Sequence, residues 1–204
     1  CRFCSTSHIF AKYILGFSEN MISNNAYKPG DVIKTRNSKT IEIMNTDAEG
    51  RILLADLFEY AQDKIKDIDY IFDYATLTGS FISAIGQYSA GIIGHNSKLK
   101  NKMIKISRQV DEWYVDLPFN RYFFEDCYKS NIVDYVNIPT SSIGGGTILG
   151  GVFIDNFLDK KYKNKWLHID MTGVAFIKNR WKYHEYGATG FRIKSGIKFI
   201  KFLI

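Results

Sequence analysis

Cysteine is scarce in this chain, and its placement excludes one large class of small proteins. The sequence has 3 cysteines among 204 residues. An odd number without a regular spacing does not describe a disulfide framework. Cys1 and Cys4 form a single CxxC, which is weak evidence for zinc because no second ligand pair accompanies it. Cys127 is expected to be an ordinary core or half-buried thiol.

Long apolar runs are also missing. No run is long enough to span a membrane, and no signal peptide is recognisable. We therefore expect a cytoplasmic protein without a membrane partner. The net charge of +6 comes from lysines scattered among Asn, Tyr and Phe, which is typical of a solvated surface, so no nucleic-acid partner is expected. The basic, apolar stretch at 191–204 predicts a core-packing helix rather than a membrane-surface one.

The sequence does contain enough apolar residues for a core. With 46% hydrophobic content over 204 residues, the chain can bury one substantial core or form part of a larger domain. Short β-rich runs alternate with helical patterns, which predicts an α/β fold. Strands are predicted at 32–35, 40–43, 68–74 (covered on both faces) and 89–94. An extended link is predicted at 113–118, and a short buried strand or a helix end at 13–17.

Helical spacing predicts the remaining elements. After Gly50, an apolar face recurs while Asp56, Glu59 and Asp63 lie off that face. The members of the face are Leu54, Leu57, Phe58, Ala61 and Ile65. Further helices are predicted at 98–110, 120–129 and 191–204.

Residues 45–51, Asn-Thr-Asp-Ala-Glu-Gly-Arg, concentrate charged groups before the first helix. Asp47 and Glu49 are two apart, so in an extended segment both carboxylates leave the backbone on one side, which suits one cation or a pair. Arg51 offers a planar fork for a carboxylate-like or carbonate-like anion. The same residues also fit an ordinary helix start, with Thr46 or Asp47 as cap and Glu49 at the positive end of the helix dipole.

Together with Ile-Leu-Leu-Ala-Asp at 52–56, this segment closely resembles the signature of the leucyl (cytosol) aminopeptidases, a family of two-metal exopeptidases. The resemblance implies that Asp47 and Glu49 are metal ligands. It also implies that Arg51 holds a bicarbonate ion that acts as general base. The implied fold is a partial α/β catalytic domain, with a mixed or mostly parallel central sheet flanked by helices.

Two later segments extend the resemblance. Ala-Thr-Leu-Thr-Gly at 75–79 resembles the family's strand end, so Thr76 and Gly79 are expected to line the pocket for the first side chain and the Leu77 backbone to bind the peptide. Without the family, an ordinary strand-to-helix turn fits equally well. The run from Trp166 to Gly173 resembles a strand of the family. Thr172 in this run and Ala175 just beyond it match pocket positions of the family. Thr172 replaces the usual Ala, which predicts a smaller or more polar pocket.

Two expectations concern residues near these segments. His168 and Asp170 alternate on that strand, but His168 is predicted to be a hydrogen-bonded structural residue because the family's ligands lie elsewhere. The glycine run at 144–146 resembles a glycine-rich stretch of the family that leads into a core helix, so the resemblance implies a helix at 147–158. There Leu149 and Gly150 stand where the family commonly has Thr-Ala.

The resemblance covers residues 19–204, interpreted as the C-terminal part of a two-metal catalytic domain, and leaves 1–18 as an unassigned or truncated edge. The family's upstream Asp-Ser-Gly-Gly segment, its further Asp ligands and its two lysines are not found in the sequence. By resemblance the complete enzyme uses two divalent ions (manganese, zinc or magnesium), cleaves peptides and forms homo-hexamers. The chain is then a fragment of such an enzyme, inactive by itself; the alternative is a non-catalytic relic or scaffold that retains the fold.

Overall fold

The computed structural model describes residues 10–18, 21–141 and 143–203. Cys1, Cys4 and the start of the loop before the signature lie outside these ranges. In the described ranges the strands form a three-stranded sheet (β1-β2-β6), a four-stranded sheet (β3-β7-β4-β5) and a two-stranded sheet (β8-β9). The strands are β1 (Val32–Lys34), β2 (Thr40–Glu42), β3 (Ile71–Ala75), β4 (Ala90–Ile93), β5 (Tyr114–Asp116), β6 (Tyr135–Val136), β7 (Trp166–Asp170), β8 (Phe176–Ile177) and β9 (Gly187–Ala188).

The α-helices follow the predicted pattern with one exception. They are α1 (Glu49–Lys64), α2 (Gly79–Ile85), α3 (Ser97–Arg108), α4 (Gly146–Asp155) and α5 (Ile193–Phe202). The helix predicted at 120–129 is wrong, because that segment has only a 3₁₀ turn at Arg121–Phe123 followed by further turns. Its aromatic, Cys and Asp residues are weak helix formers. The carbonyls of Cys127 and Tyr128 accept instead from Thr140 and Val136, outside the segment.

The four-stranded sheet is mixed, as predicted. β3 runs parallel to β7, β7 antiparallel to β4, and β4 parallel to β5. Side chains of β7 alternate between two buried faces: Trp166 packs with Phe58 of α1 and Ile154 of α4. Leu167 and Ile169 pack in another cluster with Met103 of α3 and Phe199 of α5. Helices therefore cover both faces of the central sheet.

Three local expectations are corrected. Residues 113–118 were expected to be only an extended link, but Tyr114–Asp116 form β5 at the sheet edge. Residues 13–17 have no regular secondary structure. Glu59 was placed off the apolar face of α1, yet it is 1% exposed. Its carboxylate accepts from the Thr35 hydroxyl (3.1 Å) and the Asn37 N–H (2.8 Å), so hydrogen bonds to the β1–β2 turn offset the cost of burying it.

No helix within the described ranges combines the length and apolar character needed to cross a bilayer.

Candidate active site

The signature segment adopts helical rather than extended geometry. Thr46–Ala48 form a 3₁₀ turn that continues into α1 at Glu49, and the Asn45 side chain accepts from the Asp47 N–H at 2.9 Å. The cap is therefore Asn45, not Thr46 or Asp47. Residues two apart in a helix do not face each other, so the argument that an extended backbone aligns Asp47 and Glu49 is wrong.

Asn137 fixes the entry to this segment, and the sequence analysis missed it. This side chain is 0% exposed. Its Oδ1 accepts from the N–H groups of Met44 (2.7 Å) and Asn45 (3.2 Å), while its Nδ2 donates to the Asn45 carbonyl (2.6 Å). Asn137 follows β6, which pairs with β2. A lone asparagine after a two-residue strand carries no sequence signal for this role.

The two signature carboxylates are exposed, and the described residues donate no hydrogen bond to either. Burial, followed by the charge of Glu49, raises the pKa of Tyr27, whose hydroxyl donates to the Thr46 carbonyl. Within the described ranges no three His, Cys, Asp or Glu side chains are grouped so as to hold a metal. The oxygen atoms of Asp47 and Glu49 are the kind of ligand that a hard divalent cation prefers, but two carboxylates are too few to complete its coordination.

Arg51 points inward from the first turn of α1. Its Nη1 donates to the Tyr128 hydroxyl at 3.0 Å, and its guanidinium lies 5.9 Å from the centre of the Phe153 ring. The Arg51 Nε is buried and has no hydrogen-bond partner among the described residues. A buried N–H without a partner, on a planar guanidinium, is suited to donate a hydrogen bond to an oxyanion.

Asp170 joins the ends of the two parallel strands β3 and β7. It is fully buried. Its Oδ1 accepts from the Leu77 N–H (3.4 Å), the Thr172 N–H (3.1 Å) and the Thr172 hydroxyl (2.6 Å), and its Oδ2 accepts from the Thr78 hydroxyl (2.6 Å). The Thr78 N–H donates back to the Thr172 hydroxyl at 3.2 Å. These bonds bring together the two segments that the resemblance assigns to the substrate, at the strand ends where ligands gather in α/β sheets.

Leu77 connects this strand end to the signature. Its side chain lies 3.4 Å from the place where a Gly50 β-carbon would stand and 3.0 Å from that of Gly150. The glycine at 150 thus admits Leu77 between α1 and α4. Thr76 and Gly79 are exposed, and no atom lies within 4 Å of a β-carbon built on Gly79.

Two further predicted positions are accounted for in the fold. Ala175 is half-buried and its carbonyl accepts from the Thr189 N–H at 3.0 Å. His168 is 0% exposed, and its Nδ1 lies 2.6 Å from Asp73, which also accepts from the Trp166 indole at 2.7 Å. His168 is therefore a hydrogen-bonded structural residue in this fold.

Comparisons with known proteins agree on one family. The profile described as "Cytosol aminopeptidase family, catalytic domain" matches residues 6–196. A probable cytosol aminopeptidase of Wolinella succinogenes is 44% identical over 188 residues, which cover 92% of this chain and 38% of the relative. One of Helicobacter hepaticus is 44% identical over 187 residues, covering 92% and 39%.

Solved structures give the same answer for the fold. The apo leucyl aminopeptidase of Trypanosoma brucei superposes with a TM-score of 0.82 at 30% identity, covering 90% of this chain and 35% of that one. The Leishmania major leucyl aminopeptidase in complex with actinonin gives a TM-score of 0.81 at 31% identity, covering 90% and 33%. This chain therefore spans well under half the length of each of these proteins.

Proposed function

The chain belongs to the cytosol aminopeptidase family, and we propose that it supplies part of the active site of a metal-dependent aminopeptidase that releases leucine-like N-terminal residues from peptides. One observation carries the proposal. Two exposed carboxylates, Asp47 and Glu49, precede an arginine with a buried Nε, and the described residues provide no hydrogen-bond partner for either carboxylate or for that Nε. Leu77 links this helix start to the strand ends that the resemblance assigns to the substrate.

Asp47 and Glu49 are proposed as two of the ligands for a pair of divalent ions, namely manganese, zinc or magnesium. Carboxylate oxygens suit these ions without choosing sharply among them. Two carboxylates cannot complete two coordination shells, so the remaining ligands and a catalytic lysine are proposed to come from an Asp-Ser-Gly-Gly and lysine segment that precedes these residues in the complete enzyme. When bound, such ions supply positive charge that polarises a carbonyl and lowers the pKa of water.

Arg51 is proposed to hold and orient a bicarbonate ion, which would supply a general base. The Nε–H has no other acceptor in the described part of the chain, and a guanidinium remains charged at every working pH. A fixed donor fork can therefore hold a planar anion in one orientation. A positioned general base contributes about 10² to 10⁴-fold to rate.

The substrate is proposed to bind at the joined strand ends. Thr76, Gly79, Thr172 and Ala175 border the first side chain, and the Leu77 backbone contacts the peptide. The Thr172 hydroxyl already donates to Asp170 and accepts from Thr78. It therefore adds bulk relative to alanine more than it adds free hydrogen-bonding capacity. We also propose a homo-hexameric assembly in the cytoplasm, and this proposal rests on membership of the family alone.

The metal assignment is tested in a restored enzyme, meaning this chain joined to an upstream segment with the Asp-Ser-Gly-Gly and lysine motifs. Asp47→Asn or Glu49→Gln should remove both leucine amide hydrolysis and tight metal binding, because each removes a charged oxygen ligand. Metal content per subunit is measured by mass spectrometry after gel filtration. Two ions retained by either variant would mean that the wrong ligands were assigned.

The bicarbonate assignment is tested by Arg51→Ala in the same enzyme. The variant should lose about 10² to 10⁴-fold in kcat while metal content stays unchanged, and added bicarbonate should accelerate the parent but not the variant. If Arg51 only supported the helix start, the change would instead cost up to about 1 kcal/mol of stability with turnover intact. Equal bicarbonate activation of both proteins would refute the anion-binding role.

A further inference from the structure

Tyr128 is a fully buried residue that touches Arg51 from a distant part of the chain. It lies in the turn segment that follows the 3₁₀ turn at Arg121–Phe123 and is 0% exposed. Its hydroxyl donates to the Leu149 carbonyl of α4 at 2.8 Å. A tyrosine hydroxyl has one hydrogen to donate, so its remaining lone pairs are available to accept from the Arg51 Nη1–H at 3.0 Å.

In this geometry the Tyr128 hydroxyl acts only as a hydrogen-bond acceptor toward Arg51. The buried hydroxyl needs only one partner, and the Leu149 carbonyl already satisfies its donor. Burial raises the pKa of Tyr128 to about 12, an effect that Arg51 opposes. The group therefore keeps its proton at working pH, and the Leu149 bond fixes the direction of the lone pair that meets Arg51.

These contacts fix the orientation of the Arg51 guanidinium and of its Nε–H. With Nη1 bound to Tyr128 and the guanidinium lying over the Phe153 ring, the orientation of the planar fork is determined, and Nε has no acceptor in the part of the chain that the structure describes. An arginine side chain otherwise loses rotamer entropy when it is ordered. A support that orders it before the anion arrives removes that cost from anion binding.

We propose that Tyr128 is a positioning residue that pre-orients the Arg51 guanidinium so that its Nε–H and adjoining donor face a bicarbonate-like oxyanion. The inference rests on the proposed bicarbonate role of Arg51. It assigns a role to a residue of the 120–129 segment, which carries no family motif.

The test is Tyr128→Phe in the restored enzyme, with bicarbonate binding measured directly by isothermal titration calorimetry and leucine amide hydrolysis measured across a bicarbonate titration. Phenylalanine keeps the ring that packs edge-on against Phe153, at 5.2 Å between centroids. The half-activating bicarbonate concentration should rise about tenfold, the size of one hydrogen bond to a charged group. The rate at saturating bicarbonate should stay within about twofold of the parent, because a high anion concentration shifts the guanidinium into its binding orientation even without the Tyr128 hydroxyl.

Tyr114→Phe is the matched control. Tyr114 is 2% exposed and its hydroxyl shares a hydrogen bond with the Ser195 hydroxyl at 3.0 Å, in the cluster on the other face of the sheet. This control removes an equally buried phenol that has no contact with Arg51, so its bicarbonate curve should match the parent's. In an Arg51→Ala background, Tyr128→Phe should add nothing to the loss of bicarbonate response.

Each other outcome overturns the proposal. Equal curves for Tyr128→Phe and the parent would remove Tyr128 from the site while the bicarbonate role stood. A tenfold shift in Tyr114→Phe as well, or a Tyr128→Phe protein too unstable to assay, would assign the hydroxyl to the fold. A parent enzyme indifferent to bicarbonate would refute the proposed function of Arg51 and this inference with it.

Discussion

His168 and Asp73 form a buried pair across β7 and β3, which lie side by side in parallel. Burial disfavours the charged imidazolium, but the charge and hydrogen bond of Asp73 outweigh it and raise the pKa of His168 above its ordinary 6.5, while Arg51 opposes the rise. The folded state therefore binds a proton more tightly than the unfolded state does. The resulting stabilisation is fully present below about pH 6.5 and is lost as pH rises through the raised pKa.

We predict that the free energy of unfolding falls as pH rises from about 6.5 through the raised His168 pKa, and that Asp73→Asn flattens this slope. Removing one partner of a buried ion pair should also cost about 3 kcal/mol near pH 6.5. Urea denaturation followed by circular dichroism over that range measures both effects. Parallel pH profiles for parent and variant would show that the imidazole does not stay protonated in the fold.

At the scale of single residues, the sequence supplied candidate site residues but not their hydrogen-bond partners. The resemblance proposed Asp47, Glu49 and Arg51 from local identity alone. The acceptor for the Thr78 hydroxyl and the support for Arg51 depend on residues far away in sequence: Asp170 is 92 positions from Thr78, and Tyr128 is 77 positions from Arg51. Asn137, 92 positions from Asn45, was missed for the same reason.

The close approach of α2 to β4 is the element-scale feature that positions the start of the 79–85 helix. Gly91 of β4 has no side chain, and the Phe81 ring of α2 fills the space: a β-carbon on Gly91 would lie 2.8 Å from a Phe81 ring atom and 3.0 Å from the Leu117 side chain. Phe81 is 1% exposed, so it has little room to move. Any side chain at position 91 would push α2, and with it Gly79, away from the sheet.

Gly91→Ala should therefore destabilise the chain by about 1–3 kcal/mol, the usual cost of overpacking. Gly196→Ala is the control, since no atom lies within 4 Å of a β-carbon built at that position of α5. Alanine there should stabilise by about 0.4–1 kcal/mol through lower entropy of the unfolded chain. The two variants are compared by urea unfolding, and effects of the same sign would contradict the packing argument.

α1 lies where apolar periodicity indicated a helix. α3 and α5 lie where helices were predicted, and α4 lies where the resemblance implied one, each within a few residues. The 120–129 segment lacked such a face and was misjudged, because its polar backbone groups find partners in other segments. Glu59 shows the converse error: the helical face was right, but a carboxylate can be buried where backbone and hydroxyl donors from another element meet it.

At the scale of the whole molecule, the number of metal ligands decides whether the chain can act alone. Asp47 and Glu49 are the two proposed ligands, and the described ranges contain no group of three candidate ligand residues. A two-metal hydrolase needs both ions about 3.5–4 Å apart with several ligands each. The chain also spans only 38% of its Wolinella succinogenes relative.

We predict that the purified 204-residue chain hydrolyses leucine amide no faster than buffer, with or without manganese, and that the restored enzyme is active. Release of ammonia over hours measures the rate. Metal-dependent turnover by the chain alone would overturn the ligand count. An inactive restored enzyme that nevertheless folds and assembles would instead favour the non-catalytic scaffold.

The sequence by itself determined the family, the α/β alternation and the identity of the signature residues. These follow from local signals: side-chain identity along one segment and periodicity over a few turns. Tertiary structure alone decided that the signature is helical, that Asp170 joins two strand ends, and that Arg51 meets Tyr128 while its Nε has no partner within the described ranges. Those contacts join residues 77 to 92 positions apart, and their energies depend on burial and on the geometry of the partner, which no local pattern encodes.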